Sequence, residues 1–458
     1  MHPKIKLAAI AKNEGAYIPQ WVYHHLRAGF DQIEIWINGT TDNSLDIIEA
    51  ISAHNPGKLV VRDANDLLED CKNRSVNFQI DTYAKAYEET KVSGEFTHIF
   101  FLDLDEYWIS LDPSKSIKDF ILSQHAFDTV SFQWFIDIPS YENEIFKPIL
   151  QSNTILQKDR HVKTLIAFSE KKTKVLIHNS IVEDGISLLG NGDELVQTHP
   201  EQEHKQKVSN EYFNETKRNI DPFFILHLVY RSQEEYAASL MRGRVHVNDT
   251  NIFKLNRFGF MPYQNDDQLL ITFTDAQIEE YDRGYLRFLS DNKLESLLED
   301  AHRFVYANCN KVMDLIEADP SLLIIHEQQL RGLQIQKLKE VRVTSEVPHY
   351  HIDVVKLFTD TLDIRGWVHD PLSSEKIKIE VITEPANSVS VQTIERPDVL
   401  QAHPDANLEC GFHITIKLDE VQRQNLNDQE LPFKIFAESK YLKCELKTGK
   451  KITIVQPE

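Results

Sequence analysis

The chain has 458 residues, with 50 Lys plus Arg against 71 Asp plus Glu and a formal net charge of -21. Its length suits two or three domains, and so acidic a balance leaves no electrostatic footprint for nucleic acid, while still allowing a local basic groove. With 41% hydrophobic and 10% aromatic residues it reads as a folded protein.

The first hundred residues alternate strand and helix. Residues 5–10 form a short apolar run of the buried parallel type, and 17–28 have helical spacing, with Ile18, Trp21, Val22, His25 and Leu26 on one side. A strand follows at 33–37 and stops at the turn-rich Asn38-Gly39-Thr40-Thr41-Asp42. Residues 45–51 read as helix, 58–62 as strand and 76–90 as helix, and 97–102 form a fourth strand ending at Asp103-Leu104-Asp105-Glu106. Repeated βα units predict a Rossmann-like parallel sheet, which takes ligands at the C-terminal edge of its strands.

Beyond Ile109 the strands become irregular, at 129–134, 155–157, 163–167 and 174–178, the pattern of a mixed sheet region. Residues 195–219 are polar and His-rich and read as a loop or insertion; 223–230 are apolar and lead into a helix over 232–242. Residues 274–340 read as helical, opening on a capping box of Thr274 and Gln277 and broken at Pro320. A linker over 341–352 then gives way to short strands at 362–368, 377–383, 389–394, 412–418, 433–438 and 451–455, an all-β sandwich. The expected domains are therefore 1–250 (α/β), 251–345 (helical extension) and 353–458 (β-sandwich), with no internal repeat or low-complexity tract.

Cys71, Cys309, Cys410 and Cys444 are widely spaced, with no CxxC pair, and are expected to be reduced thiols of a cytoplasmic protein. The apolar stretch before Lys12 is too short for a signal peptide, and no run of about 18 apolar residues predicts a spanning helix.

Asp103 and Asp105, one residue apart just past a buried strand, carry a plain chemistry. The strand fixes the backbone, and hard carboxylate oxygens at that spacing suit Mg²⁺ or Mn²⁺ shared with a diphosphate, whose leaving charge the ion neutralises. His199 and His204, five residues apart in a polar loop, are a poor match for zinc and read as solvated.

Several segments together are similar to one family. Ala8-Ala9-Ile10-Ala11-Lys12-Asn13-Glu14 followed by Trp21 to Gly29 resembles the opening of glycosyltransferase family 2-like enzymes, a strand ending in KNE and a helix of the form EWxxyHxxxG. Asn38 to Ser44 resembles their NgStD loop, and Gln79 to Tyr87 with Phe101 to Trp108 their helix and lDxDEf strand end. Val162-Lys163-Thr164 with Val175 to His178, and Leu226 to Tyr236 ending at Arg242-Gly243-Arg244, resemble their VK(S/T) and HYxxKSxeeF…RG segments. The matches run in order over roughly 5–245. Near the C-terminus, Gly366-Trp367-Val368-His369-Asp370, Arg396-Pro397-Asp398-Val399 and Gly411-Phe412 resemble a β-domain appended to many bacterial glycosyltransferases. Gly366 and Gly411 are expected at close backbone approaches and Trp367 in core packing.

The resemblance implies a GT-A fold, a nucleotide-sugar donor (a UDP-sugar first), Mn²⁺ or Mg²⁺, and inversion at the anomeric carbon. It implies that Asp103 and Asp105 hold metal and diphosphate, with His227 or His178 as a further ligand. Ala11, Lys12 and Glu14 would lie beside the nucleoside, and Asn38, Thr40 and Asp42 would contact base or ribose. Asp63 would stand in for the acidic residue that Ile37 replaces, and Lys163 and Arg231 would pair with phosphate oxygens. An inverting transfer needs a carboxylate base, for which Asp137, then Glu183 and Asp184, are the candidates. The acceptor would be a hydroxyl of a surface glycan, free or lipid-linked, at the inner face of the cytoplasmic membrane. Two rivals stand beside this reading: an inactive GT-A domain serving as a glycan-binding or scaffold protein, and a sugar-phosphate nucleotidyltransferase, which would want a Gly-rich basic loop that Lys12-Asn13-Glu14-Gly15 does not supply.

Overall fold

The computed structural model describes residues 2–141, 143–195, 207–242, 251–260, 267–335, 338, 349–369, 376–383, 388–403, 406–419, 433–438, 443–447 and 452–454. The chain divides into two compact units, Met1–Gln334 and Ile335–Glu458. His199, His204, Gly243, Arg244 and Asp370 lie outside the described residues, as do 341–348 of the expected linker.

The first unit opens with β1 (Ile5–Ala11), α1 (Ile18–Arg27), β2 (Gln32–Ile37), α2 (Ser44–His54), β3 (Leu59–Asp63), α3 (Asn65–Arg74), α4 (Phe78–Ser93) and β4 (His98–Phe101). It continues with β5 (Glu106–Ser110), α5 (Ile117–Ser123), β6 (Thr129–Asp137), β7 (Thr154–Ala167), β8 (Thr173–Lys174), β9 (Ile181–Val182) and β10 (Ser187–Leu189). It closes with α6 (Asn210–Thr216), β11 (Phe223–His227), α7 (Gln233–Leu240), β12 (Gln268–Ile271), α8 (Asp275–Asp291), α9 (Glu295–Ala318), α10 (Leu322–Ile325) and α11 (Glu327–Leu330). The expected capping box at Thr274 and Gln277 forms, and Ser232 with Glu235 makes a second one at the start of α7.

The main sheet has the order β3-β2-β1-β4-β7-β6-β11-β5, with β10 on β6 and β12 on β7. β1 to β4 are mutually parallel; β7 runs against β4 and β6, β11 runs with β6, and β5 runs against β11. This is the α/β architecture that the alternating pattern predicts. Its consequence is directional: the C-termini of β1, β2, β3, β4, β6 and β11 all open on one edge. Ala11, Ile37, Asp63, Phe101, Asp137 and His227 end those strands.

Several segments differ from expectation: α3, α5 and β5 fill stretches assigned to no element, the strand expected at 174–178 shrinks to β8, and a strand begins at His349, inside the expected linker. β7 is one strand where two short ones were predicted, because Lys158-Asp159-Arg160-His161 reads as a polar break. Each polar side chain there is bonded: Lys158 to Asp221 at 2.8 Å, Arg160 to the Val208 carbonyl at 3.0 Å, and His161 to Asp159 at 2.5 Å. The strand therefore passes through, with a bulge opposite Gln133 and Phe135. The expected loop at 195–219 contains α6, capped by Ser209.

The second unit holds a five-stranded sheet of β13 (His349–Phe358), β14 (Thr361–His369), β16 (Val389–Ile394), β17 (Gly411–Lys417) and β20 (Thr453–Ile454). A three-stranded sheet joins β15 (Lys378–Thr383), β18 (Phe433–Glu438) and β19 (Lys443–Leu446), with α12 (Pro397–Ala402) beside them in the chain. One core takes Ile364, Phe412 and Ile414 from the first sheet and Ile435, Ala437 and Leu446 from the second, so the sheets face each other as a sandwich. A Cβ at Gly366 would meet Phe412 Cζ at 2.8 Å and one at Gly411 the Ile394 carbonyl at 2.7 Å, the close approaches expected. Trp367 packs in a smaller cluster with Val399, Ala406 and Cys410.

Candidate active site at the strand C-terminal edge

The turn after β4 is gripped from several sides. The Trp21 indole N–H on α1 donates to the Glu106 carbonyl at 2.8 Å and the Asp103 carbonyl at 3.2 Å. One turn on, His25 Nδ1 bonds the Trp21 carbonyl at 2.8 Å and His25 Nε2 accepts from the Trp108 N–H at 3.3 Å. His24 Nε2 donates to the Trp108 carbonyl at 2.9 Å, and its Nδ1 faces the Tyr281 hydroxyl at 3.2 Å. Burial pushes His24 down to about 4 and His25 well below the usual imidazole range, so both rings are neutral at pH 7. These residues clamp α1 to β5 and set the height of the Asp103–Glu106 turn.

Within the turn, Asp103 Oδ1 accepts from Gln79 at 3.0 Å and from the Tyr83 hydroxyl at 3.3 Å, both on α4. Its other oxygen meets Lys163 Nζ at 2.9 Å. Glu106 accepts the Asp103 backbone N–H at 2.8 Å and meets the same Lys163 at 3.1 Å. Burial lifts the Glu106 carboxyl to about 7. Burial alone would lower Lys163, but Asp103 and Glu106 outweigh it and hold the ammonium charged. Lys163 was expected on phosphate. Its side chain is fully buried, so its charge holds the turn together instead.

Asp105 faces His227, with Oδ1 and Nε2 3.8 Å apart. Burial pushes the Asp105 carboxyl up, yet His227, with Arg231 and Arg257 beyond it, wins and holds it well below the usual range. His227 rises for the reciprocal reason, Asp105 overcoming burial. Its Nδ1 is buried with no hydrogen-bond partner among the described residues. His178 does not share this pair. It packs on Trp134 and His161 at ring separations of 5.1 and 5.2 Å, and burial with nearby Lys163 keeps it neutral.

The two N-terminal loops are stapled together. Asn13, at φ +54, accepts the Thr41 N–H at 2.7 Å, and Asp42 accepts from Gly15 at 2.8 Å and from the Ser44 hydroxyl at 2.6 Å. Asp42 thus ties loop to loop. The Thr40 hydroxyl accepts the Asn13 N–H at 3.4 Å, and Asp63 accepts the Asn65 N–H at 2.8 Å, turning the chain into α3. Ala11 ends β1, its carbonyl taking the Asn38 N–H at 3.3 Å. Asn38 is the exception in this loop: its amide is buried and neither polar atom has a partner among the described residues. Glu14 is buried and ion-paired to Arg242.

Beside Asp105 lies a narrow, open cleft walled by residues 228–231, α7, Arg242, Arg257 and, from α9, Phe304 and Asn308. The helical segment expected as an extension therefore forms one wall of the site. Arg231, at φ +55, lies over the Tyr17 ring at 3.5 Å and bonds the Leu104 carbonyl at 3.3 Å. Arg242, Lys254 and Arg257 escaped sequence reasoning as a group, because 15 residues and a segment without secondary-structure signal separate the first from the last. Arg242 is pushed down to about 9 by burial and by Arg257. Lys254 falls further, through burial and then Arg242 and Arg257, and Lys12 falls through burial and Arg242. The only signal in the sequence was that a net charge of -21 does not forbid a basic groove.

The three candidate bases part company. Asp137 ends β6 at the site edge, one residue past Ile136, the sheet partner of His227. It is buried and pairs with Lys147 at 2.6 Å. Burial raises its carboxyl despite that cation. Glu183 and Asp184 are exposed in the turn between β9 and β10, where the Asp184 carbonyl takes Lys171, which also pairs with Asp128 at 2.9 Å. That is the start of β6, the opposite edge of the sheet. The chain reversal at β8–β9, invisible in composition, carries them away.

Among the described residues no group of three or more His, Cys, Asp or Glu side chains comes together to hold a metal ion.

No protein-family model matches the chain, and no curated protein matches it. Among solved structures, S. aureus TarS is similar over 99% of this chain and 78% of its own, at 11% identity and TM-score 0.21. S. aureus TarS 1–349 is similar over 77% of this chain and 94% of its own, at 12% identity and TM-score 0.23. A galactosyltransferase, LgtC, in complex with donor and acceptor sugar analogues, is similar over 30% of this chain and 47% of its own, at 17% identity and TM-score 0.18. Likeness at this level decides nothing about the site. The geometry has to carry it.

Proposed function

We propose that the protein is a glycosyltransferase that moves a sugar from a nucleotide-diphosphate donor to a hydroxyl of a glycan. The observation supporting this is the meeting of the Asp103–Asp105 turn with a cleft rimmed by cations, at the edge where six strands end. Strand-end carboxylates beside a pocket of positive charge suit a sugar diphosphate, and the unpartnered Asn38 amide beside Ala11 suits a nucleoside base, as buried polar groups want partners. Lys12 and Thr40 stand next to it.

A divalent ion fits Asp105 and His227: one carboxylate and one imidazole, with an unsatisfied second ring nitrogen, are an acceptable donor set for Mn²⁺ or Mg²⁺ completed by substrate oxygens. When bound there it would neutralise charge on the donor diphosphate. The protein's own residues do the rest. Lys163 and Trp21 hold Asp103 in place, and Arg231 braces Leu104 from the cleft side. The acceptor oxygen forms a bond to the anomeric carbon as the bond from that carbon to the phosphate oxygen breaks, leaving its electron pair on the phosphate. The hydroxyl proton passes to Asp137, whose burial favours taking a proton.

The test is a thermal-shift panel of UDP, GDP, CMP and dTDP nucleotides with Mn²⁺, Mg²⁺ or EDTA, followed by sugar transfer from the nucleotide that stabilises. Asp103→Ala and Asp105→Ala are expected to abolish transfer, and wild-type rates in both would defeat the reading. One observation favours a glycan-binding domain without turnover: Lys163 already holds Asp103, and Lys147 holds Asp137. Nucleotide binding without transfer to any glycan would decide for it.

A further inference from the structure

We infer that Arg242, Lys254 and Arg257 form the seat for the donor's diphosphate and balance the charge it carries away, with affinity that does not depend on a divalent ion. This deepens the glycosyltransferase reading: Arg242 closes the segment that begins at Leu226, and Lys254 and Arg257 are added to it from outside every motif. Arg242 and Arg257 wall the cleft that contains Asp105. Arg257 donates to the Val229 carbonyl at 3.0 Å, which aims the side chain along the cleft, and its buried Nε has no partner among the described residues. The Lys254 N–H bonds the Leu240 carbonyl at 2.9 Å, which brings its segment back against the end of α7.

The cations repel one another. Arg242 feels Arg257, and Lys254 feels both, with Asp105 and Asp103 as weaker counterweights. The one carboxylate paired to any of the three is Glu14, on Arg242, among the described residues. The chain as a whole has acidic groups in excess, with a formal net charge of -21. Cations brought together with too few counter-ions cost stability, and an anion bound between them lowers that cost. Phosphate oxygens are acceptors without hydrogens, and guanidinium and ammonium groups are donors only, so the match is chemical as well as electrostatic. In the transfer step the bond from the anomeric carbon to the phosphate oxygen breaks, and the electron pair stays on that oxygen. The charge then grows beside the cleft wall that Arg242 and Arg257 form, with Lys254 on the adjoining segment.

Two signatures separate this from a structural role. Lys254→Met relieves repulsion, so the ligand-free protein is expected to melt higher than wild type, while inorganic pyrophosphate binds at least 10-fold more weakly. Lys254→Arg restores the charge and the affinity. The measurement is isothermal titration of the whole chain with inorganic pyrophosphate and with UDP, each in Mg²⁺ and in EDTA, plus a melting curve for each variant. Wild-type binding of pyrophosphate in EDTA, weakened by Lys254→Met and by Arg257→Met and steeply reduced by salt, supports the seat. Binding lost entirely in EDTA, or wild-type affinity in both Met variants, overturns it. Transfer at wild-type rates in Lys254→Met drops the seat and leaves the glycosyltransferase reading standing. Pyrophosphate binding with no transfer from any nucleotide sugar drops that reading and leaves the seat.

Discussion

Lys163→Met tests the grip on the carboxylate turn directly. The substitution keeps the buried stem and removes the charge that lies 2.9 Å from Asp103 and 3.1 Å from Glu106. At an effective dielectric of about 20, each contact is worth roughly 5–6 kcal/mol of Coulomb attraction. Desolvating the ammonium offsets several kcal/mol of this, and removing one partner of such a buried pair costs about 3–5 kcal/mol net. Glu106 offers partial relief. Burial already raises it to about 7, and without Lys163 it rises further, so above about pH 7 the variant keeps a proton that wild type releases. The loss is therefore expected to be largest at pH 8 and smaller at pH 6. Urea unfolding followed by tryptophan fluorescence at both pH values reads it, with the transition of the α/β unit fitted separately. Adding Glu106→Gln should recover about 1–3 kcal/mol, because the amide oxygen still accepts the Asp103 N–H without a second buried charge. A Lys163→Met protein within about 1 kcal/mol of wild type at pH 8, or a double variant no more stable than the single one, refutes the reasoning.

Other expectations follow from the same geometry. His24 is held neutral in the fold, at about 4 against 6.5 unfolded, so the native state binds fewer protons in that window. Its contribution, about 3 kcal/mol, is present above pH 6.5 and lost as pH falls toward 4; His24→Gln, which can still donate to the Trp108 carbonyl, should flatten the fall of stability with acid measured by urea titration. Trp21→Phe leaves the Glu106 and Asp103 carbonyls without their indole donor and should cost about 1–3 kcal/mol in the same assay. Asp137→Asn should lower transfer about 100-fold or more, whereas Glu183→Gln and Asp184→Asn at the far edge should leave it within about 2-fold, and equal losses in all three would remove Asp137 as the base. Gly366→Ala should destabilise the β-sandwich by about 1–3 kcal/mol through its clash with the His351 carbonyl and the Phe412 ring, leaving the unfolding transition of the α/β unit where it was.

The strand-helix alternation through Phe101 was legible because each buried strand is an unbroken apolar run and each loop carries Gly, Asn or Asp. The Asp103–Asp105 turn was legible for the same reason, since a strand end fixes where its next residues point. What stayed hidden depended on partners distant in sequence. Lys163 looked like a phosphate ligand until Asp103 and Glu106 closed on it, 60 and 57 positions away in the chain. The polar run at 158–161 looked like a loop until Asp221 and the Val208 carbonyl satisfied it. Asp42 looked like a ribose contact, and its oxygens turn out to be bonded to Gly15 and Ser44. Arg257 and Lys254 belong to no pattern at all, and their meaning appears only when the end of α7 and Gln329 on α11 hold their segment against the cleft.

The one-sidedness of the sheet has a practical corollary. The turns that lead into β3 and β4 contain Gly57 and Gly94, at φ +76 and +63, with nothing within 4 Å of where a side chain would begin. They lie at the end of the strands remote from the cleft. Among the described side chains, Cys71, Cys309 and Cys410 are buried and in no disulfide, whereas Lys58 next to Gly57 is exposed. A cysteine placed at Lys58 would give a handle for a dye or a solid support. A molecule anchored there would present its cleft outward, so that binding could be followed on a surface without the attachment touching the chemistry.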